Sequence, residues 1–561
     1  MTIIEEKLIE VLEKAGVDTP ISFTKPPKPD MGDFAFACFD FAKAQGESPA
    51  AVATALAKKI SSGGLVQDVK AFGPYVNFFL DNGAVASLVL ASIGLHFGAH
   101  TFGKGKTYAV EFAHPNTHKA FHIGHLRNII TGESICRLHE NAGYTVVRVN
   151  YQGDVGMHIA KSLWGIVEMK EEYDAVKHAD LDARIAFLGK AYAYGAKHFQ
   201  EDEAVQAAIK QINAHIYTNR DAVEPMYSDT RGWSLEYFDR IYTRVGTRFE
   251  RLYFESEVFA RGKELVEEFL QKGVFKKSDG AIIFEGSDYD LHDRVFINSE
   301  GYPTYEGKEV GLAELQFAEL SPDNMVHITG SEQAPYFQVV FRAIEAVLPE
   351  TKGKEQHLTY GWVRLKNGKM SSRLGNVVLG EDLLDSVKEA VLAQMQDDEE
   401  KGKDDRAEII ASAAVKYGFL SVQVQKDIAF DMEESVSTVG DSGPYLLYIV
   451  ARIKSILRKV IVSTEQIDVE ALAISSQEKQ LLLHIAAYPA VTRAAVDSYD
   501  PAKIAKYLFE LAQTFNSFYE YCPVVQSSGK EQQFRIVLLN HVLSIMEHGL
   551  TILGIRTVES M

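Results

Sequence analysis

Leu126, Ile129, Ile130, Ser134, Ile135 and Leu138 recur at the spacing of one helix face. Residues 106–112 before them (Lys-Thr-Tyr-Ala-Val-Glu-Phe) read as a strand, and residues 144–149 after them as another. Asn141-Ala142-Gly143 closes the helix, with Gly143 suited to the left-handed position beyond a helix C-terminus. The pattern thus predicts a strand–helix–strand unit over 106–149. Ahead of it lies a small α+β unit. Residues 4–15 are patterned as a helix, Lys25-Pro26-Pro27-Lys28-Pro29-Asp30 is a stiff basic turn, and residues 31–35 lead into a second helix. Ser48-Pro49 starts a third, and residues 66–72 and 75–80 read as strands around Gly73-Pro74.

Downstream, residues 158–270 are mostly helical and rich in charges and aromatics, a reading that favours plain packing. Residues 273–284 predict a hairpin, and 292–297 return the chain to the sheet. A helix beginning at Tyr305 puts Tyr305 and Glu309 on one face. Residues 325–329 form a short strand ending at Gly330-Ser331-Glu332-Gln333. The charge-rich segment 396–406 reads as a solvated link, and the chain beyond it is nearly all helix. One helix opens at Ser442-Gly443-Pro444-Tyr445, with Leu447, Ile449, Ile453 and Ile456 on its apolar side and Arg452, Lys454, Arg458 and Lys459 on a basic one. Further helices are expected over 475–497, 501–520 and 535–553. The expected domains are 1–100, 101–390 with an insertion at about 165–290, and 391–561.

Composition changes this picture little. The 561 residues are 46% hydrophobic and 24% charged, ordinary for a soluble chain. Cys38, Cys136 and Cys522 lie too far apart for a zinc motif or disulfide framework, so a reducing compartment is expected. No apolar run reaches membrane-span length, and the N-terminus carries no leader pattern, so the chain is expected in the cytoplasm. The net charge of -19 argues against nucleic acid unless a local basic track supplies the contacts.

The chemistry concentrates in the turn that opens the strand–helix–strand unit. There the chain runs Glu111-Phe-Ala-His-Pro-Asn116-Thr-His-Lys119-Ala-Phe-His122-Ile-Gly124-His125-Leu-Arg127. A helix N-terminus offers free N–H groups and positive dipole charge to an anion. Imidazoles at that position can donate to phosphate oxygens, and Gly124 leaves room for a ring or backbone to approach. Three-glycine and Walker patterns are missing, so a phosphate-bearing ligand would be held by another device. Near residue 370, Lys369-Met370-Ser371-Ser372-Arg373 places two cations around small flexible residues, able to wrap a triphosphate. A bland solvated turn is the commoner meaning of either stretch alone; the pair together is far more specific.

Together these stretches resemble the HIGH and KMSKS signatures of class I aminoacyl-tRNA synthetases, and the first is similar in detail to arginyl-tRNA synthetases. Segments 29–33 and 73–78 resemble that family's additional N-terminal domain. Asn150-Tyr151-Gln152-Gly153-Asp154-Val155-Gly156 is similar to its motif near the adenylate and amino acid. The resemblance implies an α/β, Rossmann-like nucleotide-binding catalytic domain with a connective insertion, a small α+β N-terminal domain touching the tRNA elbow, and an all-helical anticodon-binding domain. It implies an arginine–tRNA ligase (EC 6.1.1.19) forming arginyl-adenylate. His122, His125, Lys369, Arg373 and Lys119 would be catalytic. ATP would meet His122, Gly124, His125, Lys369, Met370, Ser371 and Ser372. Arginine would meet Glu111, Asn116, Asp154, Tyr305, Glu309 and Gln333, and tRNA would meet Tyr445, Arg452 and Lys28. ATP is expected with Mg2+ on its phosphates, no structural metal, no membrane, and a monomer as the working state. Glu309 stands where the family commonly has aspartate, and His114 where it often has a small residue. The alternatives are a class I synthetase for another amino acid, a catalytically silent tRNA-binding relative, and a nucleotidyltransferase with a related sheet.

Overall fold

The structure is a computed structural model that describes residues 1–366, 378–395, 402–460, 469 and 472–561. Its centre is a parallel sheet of five strands: Thr107–Glu111, Thr145–Gln152, Arg251–Phe254, Asn324–Gly330 and Glu355–Tyr360. Numbered along the chain, they lie side by side in the order 3-2-1-4-5. That is the doubly wound arrangement, in which strand order reverses between strands 1 and 4 and opens a crevice at their carboxyl ends. Strands 1 and 4 are buried at every position but their first, as helices covering both faces require. The helix Ile123–Asn141 connects the first two strands and is buried along most of its length, so Gly132 packs where a Cβ would meet the Phe112 ring at 2.4 Å. Gly143 follows it at φ +90°.

Three local expectations are revised. The segment after Met31 forms the strand Phe34–Ala37 before the helix Phe39–Gln45 begins. Pairing with Tyr75–Leu80 decides this, since it completes a four-stranded antiparallel sheet. The strand Arg294–Ile297 does not rejoin the parallel sheet; it pairs antiparallel with Ala281–Phe284, the second arm of the predicted hairpin. Within the mostly helical stretch, Arg251–Phe254 supplies the edge strand beside Thr145–Gln152.

The C-terminal part is a helical bundle: Lys403–Leu420, Gly443–Leu457, Ser476–Asp497, Ala502–Tyr521 and Gly529–Ile552. The last begins six residues before the apolar pattern suggested. Its core is continuous with that of the catalytic sheet. Hydrogen bonds cross the boundary too: the Tyr108 hydroxyl donates to the Tyr499 hydroxyl at 2.7 Å, which donates to Gln356 Oε1 at 3.0 Å. The N-terminal unit docks on the same bundle through Asp33 and Lys479, 2.9 Å apart. Cys38, Cys136 and Cys522 are buried thiols. No helix among the described residues is long and apolar enough to cross a membrane.

Candidate active site

A cavity of about 1660 Å³ opens at the carboxyl ends of the strands, where the order reverses. Its lining joins segments far apart in sequence: Glu111, Asn116, His122, Gly124, His125, Tyr305, Glu309 and Gln333 all face it. His122 is the N-cap of the Ile123–Asn141 helix. Its Nδ1 accepts the Gly124 N–H at 3.1 Å, while its own N–H donates to His125 Nδ1 at 3.2 Å. The two rings stack with centroids 3.8 Å apart. Burial, with the Lys119 charge added, lowers the pKa of His122, and burial with His122 beside it holds His125 well below the usual range. Both rings are therefore neutral at pH 7. With each Nδ1 accepting, each proton sits on Nε2, leaving one N–H per ring to donate. Gly124 is required because a Cβ there would meet the His122 ring at 2.9 Å.

The opposite wall is acidic. Glu111 ends strand 1 and is 1% exposed; it accepts from Gln316 Nε2 at 2.5 Å and lies 3.0 Å from His327 Nδ1. Glu309, 9% exposed, accepts from the Tyr336 hydroxyl at 3.3 Å. Burial and then the Glu111 charge push its carboxyl up to about 8. Lys308 and Glu255 form a buried pair at 2.9 Å beside them. Asn116 is bridged to Gly153, so close that a Cβ on Gly153 would stand 2.1 Å from Asn116 Oδ1. Ala113 and His114 both adopt positive φ, held by the Asn128 and Asn150 side-chain oxygens at 2.6 and 3.2 Å. Such backbone persists only where surroundings over-determine it.

Other residues stand elsewhere. Lys119 lines a separate recess of about 50 Å³ behind the motif. Asp154, 0% exposed, lies beneath the cavity lining, where it accepts from Arg231 Nε at 2.9 Å and from the Ser256 N–H and hydroxyl at 2.9 and 2.7 Å. Lys369, Met370, Ser371, Ser372 and Arg373 fall outside the described residues. The chain on either side of them, Arg364, Leu365 and Val378, lines the cavity, and Ile123 N–H donates to the Val378 carbonyl at 3.0 Å.

In the helical bundle, Tyr445 is buried and its hydroxyl accepts from Asn516 at 2.8 Å. The Arg452 guanidinium lies 4.6 Å over the Tyr519 ring, and Lys28 is exposed. Lys454 is not a free cation of that helix face: Glu547 and Glu559 hold it at 2.9 and 2.6 Å. Sequence reasoning passed over His327, Tyr336 and the Glu255–Lys308 pair. The one available signal was a lone histidine inside an otherwise apolar parallel strand.

Residues 89–432 match the family "tRNA synthetases class I (R), catalytic domain". Residues 446–561 match the "DALR anticodon binding domain", and residues 2–80 the "Arginyl tRNA synthetase N terminal domain". The chain is 32% identical to an arginine–tRNA ligase of Treponema denticola, over 96% of this chain and 95% of that one. It is 30% identical to one of Clostridium beijerinckii, over 99% and 96%. Its fold is similar to that of Thermus thermophilus arginyl-tRNA synthetase, with a TM-score of 0.80 at 23% identity over 100% of this chain and 99% of the other. The Plasmodium falciparum arginyl-tRNA synthetase gives 0.79 at 20% identity, covering both chains fully.

Proposed function

The chain belongs to the arginyl-tRNA synthetases of class I, and from that premise we propose that the cavity at the switch point of its sheet is where arginine is activated. The enzyme is an arginine–tRNA ligase (EC 6.1.1.19), working through arginyl-adenylate at the expense of ATP. An arginine carboxylate oxygen attacks the α-phosphorus of ATP and diphosphate leaves. A ribose hydroxyl of the terminal tRNA adenosine then attacks the arginyl carbonyl, and AMP leaves. Neither step needs a protein nucleophile; both need positioning and stabilisation of developing charge.

In this reading His122 and His125 aim their Nε2–H groups at the phosphates as negative charge develops. Lys369 and Arg373 supply cations for the diphosphate, since both flanks of their segment line the cavity. Glu111 and Glu309 take the guanidinium, whose rigid fork of five donors is matched by fixed carboxylates. Asn116, Tyr305 and Gln333 hold the rest of the amino acid. Magnesium arrives on the ATP phosphates; the described residues contain no cluster of three or more His, Cys, Asp or Glu placed to hold an ion. tRNA spans the N-terminal unit and the helical bundle, with Lys28 and Arg452 among its contacts. In this reading the working state is a cytoplasmic monomer.

The observation that carries this reading is one cavity with two imidazole donors on one wall and two buried carboxylates on another. ATP–diphosphate exchange with each of the twenty amino acids, with and without tRNA, tests it. Exchange with arginine alone is expected. Exchange with another amino acid would remove Glu111 and Glu309 from their roles, and tRNA binding without any exchange would favour the catalytically silent reading.

A further inference from the structure

His327 faces Glu111 directly across the reversal point of the sheet, as its register partner on the neighbouring parallel strand. Its Nδ1 is 3.0 Å from Glu111 Oε1, and its Nε2 is 3.5 Å from Glu355 Oε1 on the strand beyond. Gln316 holds the second Glu111 oxygen at 2.5 Å. The Glu111, His327 and Glu355 side chains are all at most 3% exposed. The rings of Phe337 and Phe341 pack 5.5 and 5.3 Å from the imidazole. Of the polar members of this group Glu111 alone lines the cavity, beside the Phe337 ring; His327, Glu355 and Gln316 act on a ligand only through Glu111.

The chemistry of the cluster is that of a clamp. Burial alone would discharge the imidazole, but the two flanking carboxylates outweigh it and carry His327 up to about 10. His114, Glu309, Glu345 and His357 are further titratable groups whose charges couple to this cluster. Glu111 therefore has one oxygen on the His327 imidazole and the other on an amide, and its carboxylate plane is set before any ligand arrives. Among the described residues Glu309 accepts one hydrogen bond, from the Tyr336 hydroxyl. Glu111 is the more firmly held of the two carboxylates.

We propose that His327 is a positioning residue for arginine recognition, its Nδ1–H holding the Glu111 carboxylate in the orientation that meets the guanidinium. This rests on the reading of Glu111 as a guanidinium partner. The prediction is specific to one ring nitrogen. An asparagine amide occupies the place of Nδ1, whereas a glutamine amide occupies the place of Nε2 and faces Glu355.

The experiment compares His327→Asn, His327→Gln, His327→Leu and Glu111→Gln in the full-length enzyme, by steady-state aminoacylation of tRNA with arginine and with ATP varied. KM does not depend on the fraction of chain that folds, so a poorly folding variant still reports. Loss of a charge-assisted hydrogen bond predicts a rise in the arginine KM of about ten-fold or more in the Gln and Leu variants. The ATP KM should stay within about two-fold, and His327→Asn should retain most of the wild-type arginine KM. An Asn variant no better than Leu, or ATP and arginine KM rising in step, would reduce His327 to a packing residue and overturn the proposal. If Glu111→Gln raises the arginine KM while His327→Leu does not, the positioning role alone falls. If Glu111→Gln leaves that KM unchanged, the reading of Glu111 fails and this inference with it.

Discussion

The imidazoles of His122 and His125 stack 3.8 Å apart, each with its Nδ1 taken by a backbone N–H. The pair caps its helix with one edge and keeps the other edge for a ligand. Asparagine preserves the first role, because its side-chain oxygen replaces Nδ1, and deletes the second. His122→Asn and His125→Asn should therefore each lower kcat for arginine activation by about 10²–10³, with thermal melting shifted little. A large fall in melting temperature without a fall in kcat would mean the pair is structural.

The raised carboxyl of Glu309 makes arginine recognition depend on pH. With its pKa about 8, the group is mostly protonated in the empty pocket at pH 7. A guanidinium favours the carboxylate, so binding must release that proton. The arginine KM should fall as pH rises from 6.5 to 8 and level off above, with a limiting slope of about ten-fold per pH unit. The ATP KM should not follow it. In Glu309→Gln the slope should vanish; a slope that survives would assign the titration to another group.

Gly153 is needed for closeness rather than for backbone freedom. Gly153→Ala would drive a methyl into Asn116 Oδ1 and displace that side chain toward the cavity. The expected result is an arginine KM raised about ten-fold, the order of one lost polar contact, with the melting temperature nearly unchanged. An unaltered KM would take Asn116 out of the amino acid site.

Arg127, in the same motif, borders the cavity, but its guanidinium is committed to the fold. Its guanidinium is 1% exposed and donates to the Phe419 and Val424 carbonyls at 2.6 and 3.1 Å. Gly361 packs on the same segment, against the Lys426 backbone. Arg127→Met takes the guanidinium donor from the Phe419 carbonyl, while Val424 keeps the Gly361 N–H at 3.0 Å, and should cost about 1–3 kcal/mol of stability, read from denaturant unfolding. Arg127→Lys should recover only part of it, since one ammonium cannot span both carbonyls. Stability unchanged in the Met variant would show that water replaces the guanidinium.

Local chemistry is what a one-dimensional pattern discloses here. The turn at 111–127 is readable because a phosphate site at a helix start needs its residues at fixed short spacing. The long helices are readable because their apolar period runs over many turns. Arg251–Phe254 is too short to show a period and is a strand only because Thr145–Gln152 offers it a partner. Arg294–Ile297 reads as a strand, yet nothing in its residues says which sheet takes it. Asp154 is polar, in a motif and at a strand end, but four donors from other segments occupy it. His327 is the reverse case: it gains its meaning from Glu111, 216 residues earlier.

Tyr499 ties the turn between two bundle helices to strands 1 and 5 of the catalytic sheet through its shared hydroxyl. The bundle is thus no detachable cassette. Exchanging it for that of a relative would require the recipient to present the same hydroxyl at the same height above two strands, or accept a severed bond three residues upstream of Glu111. Chimaeras built at this joint should be drawn with the 498–500 turn kept on the catalytic side.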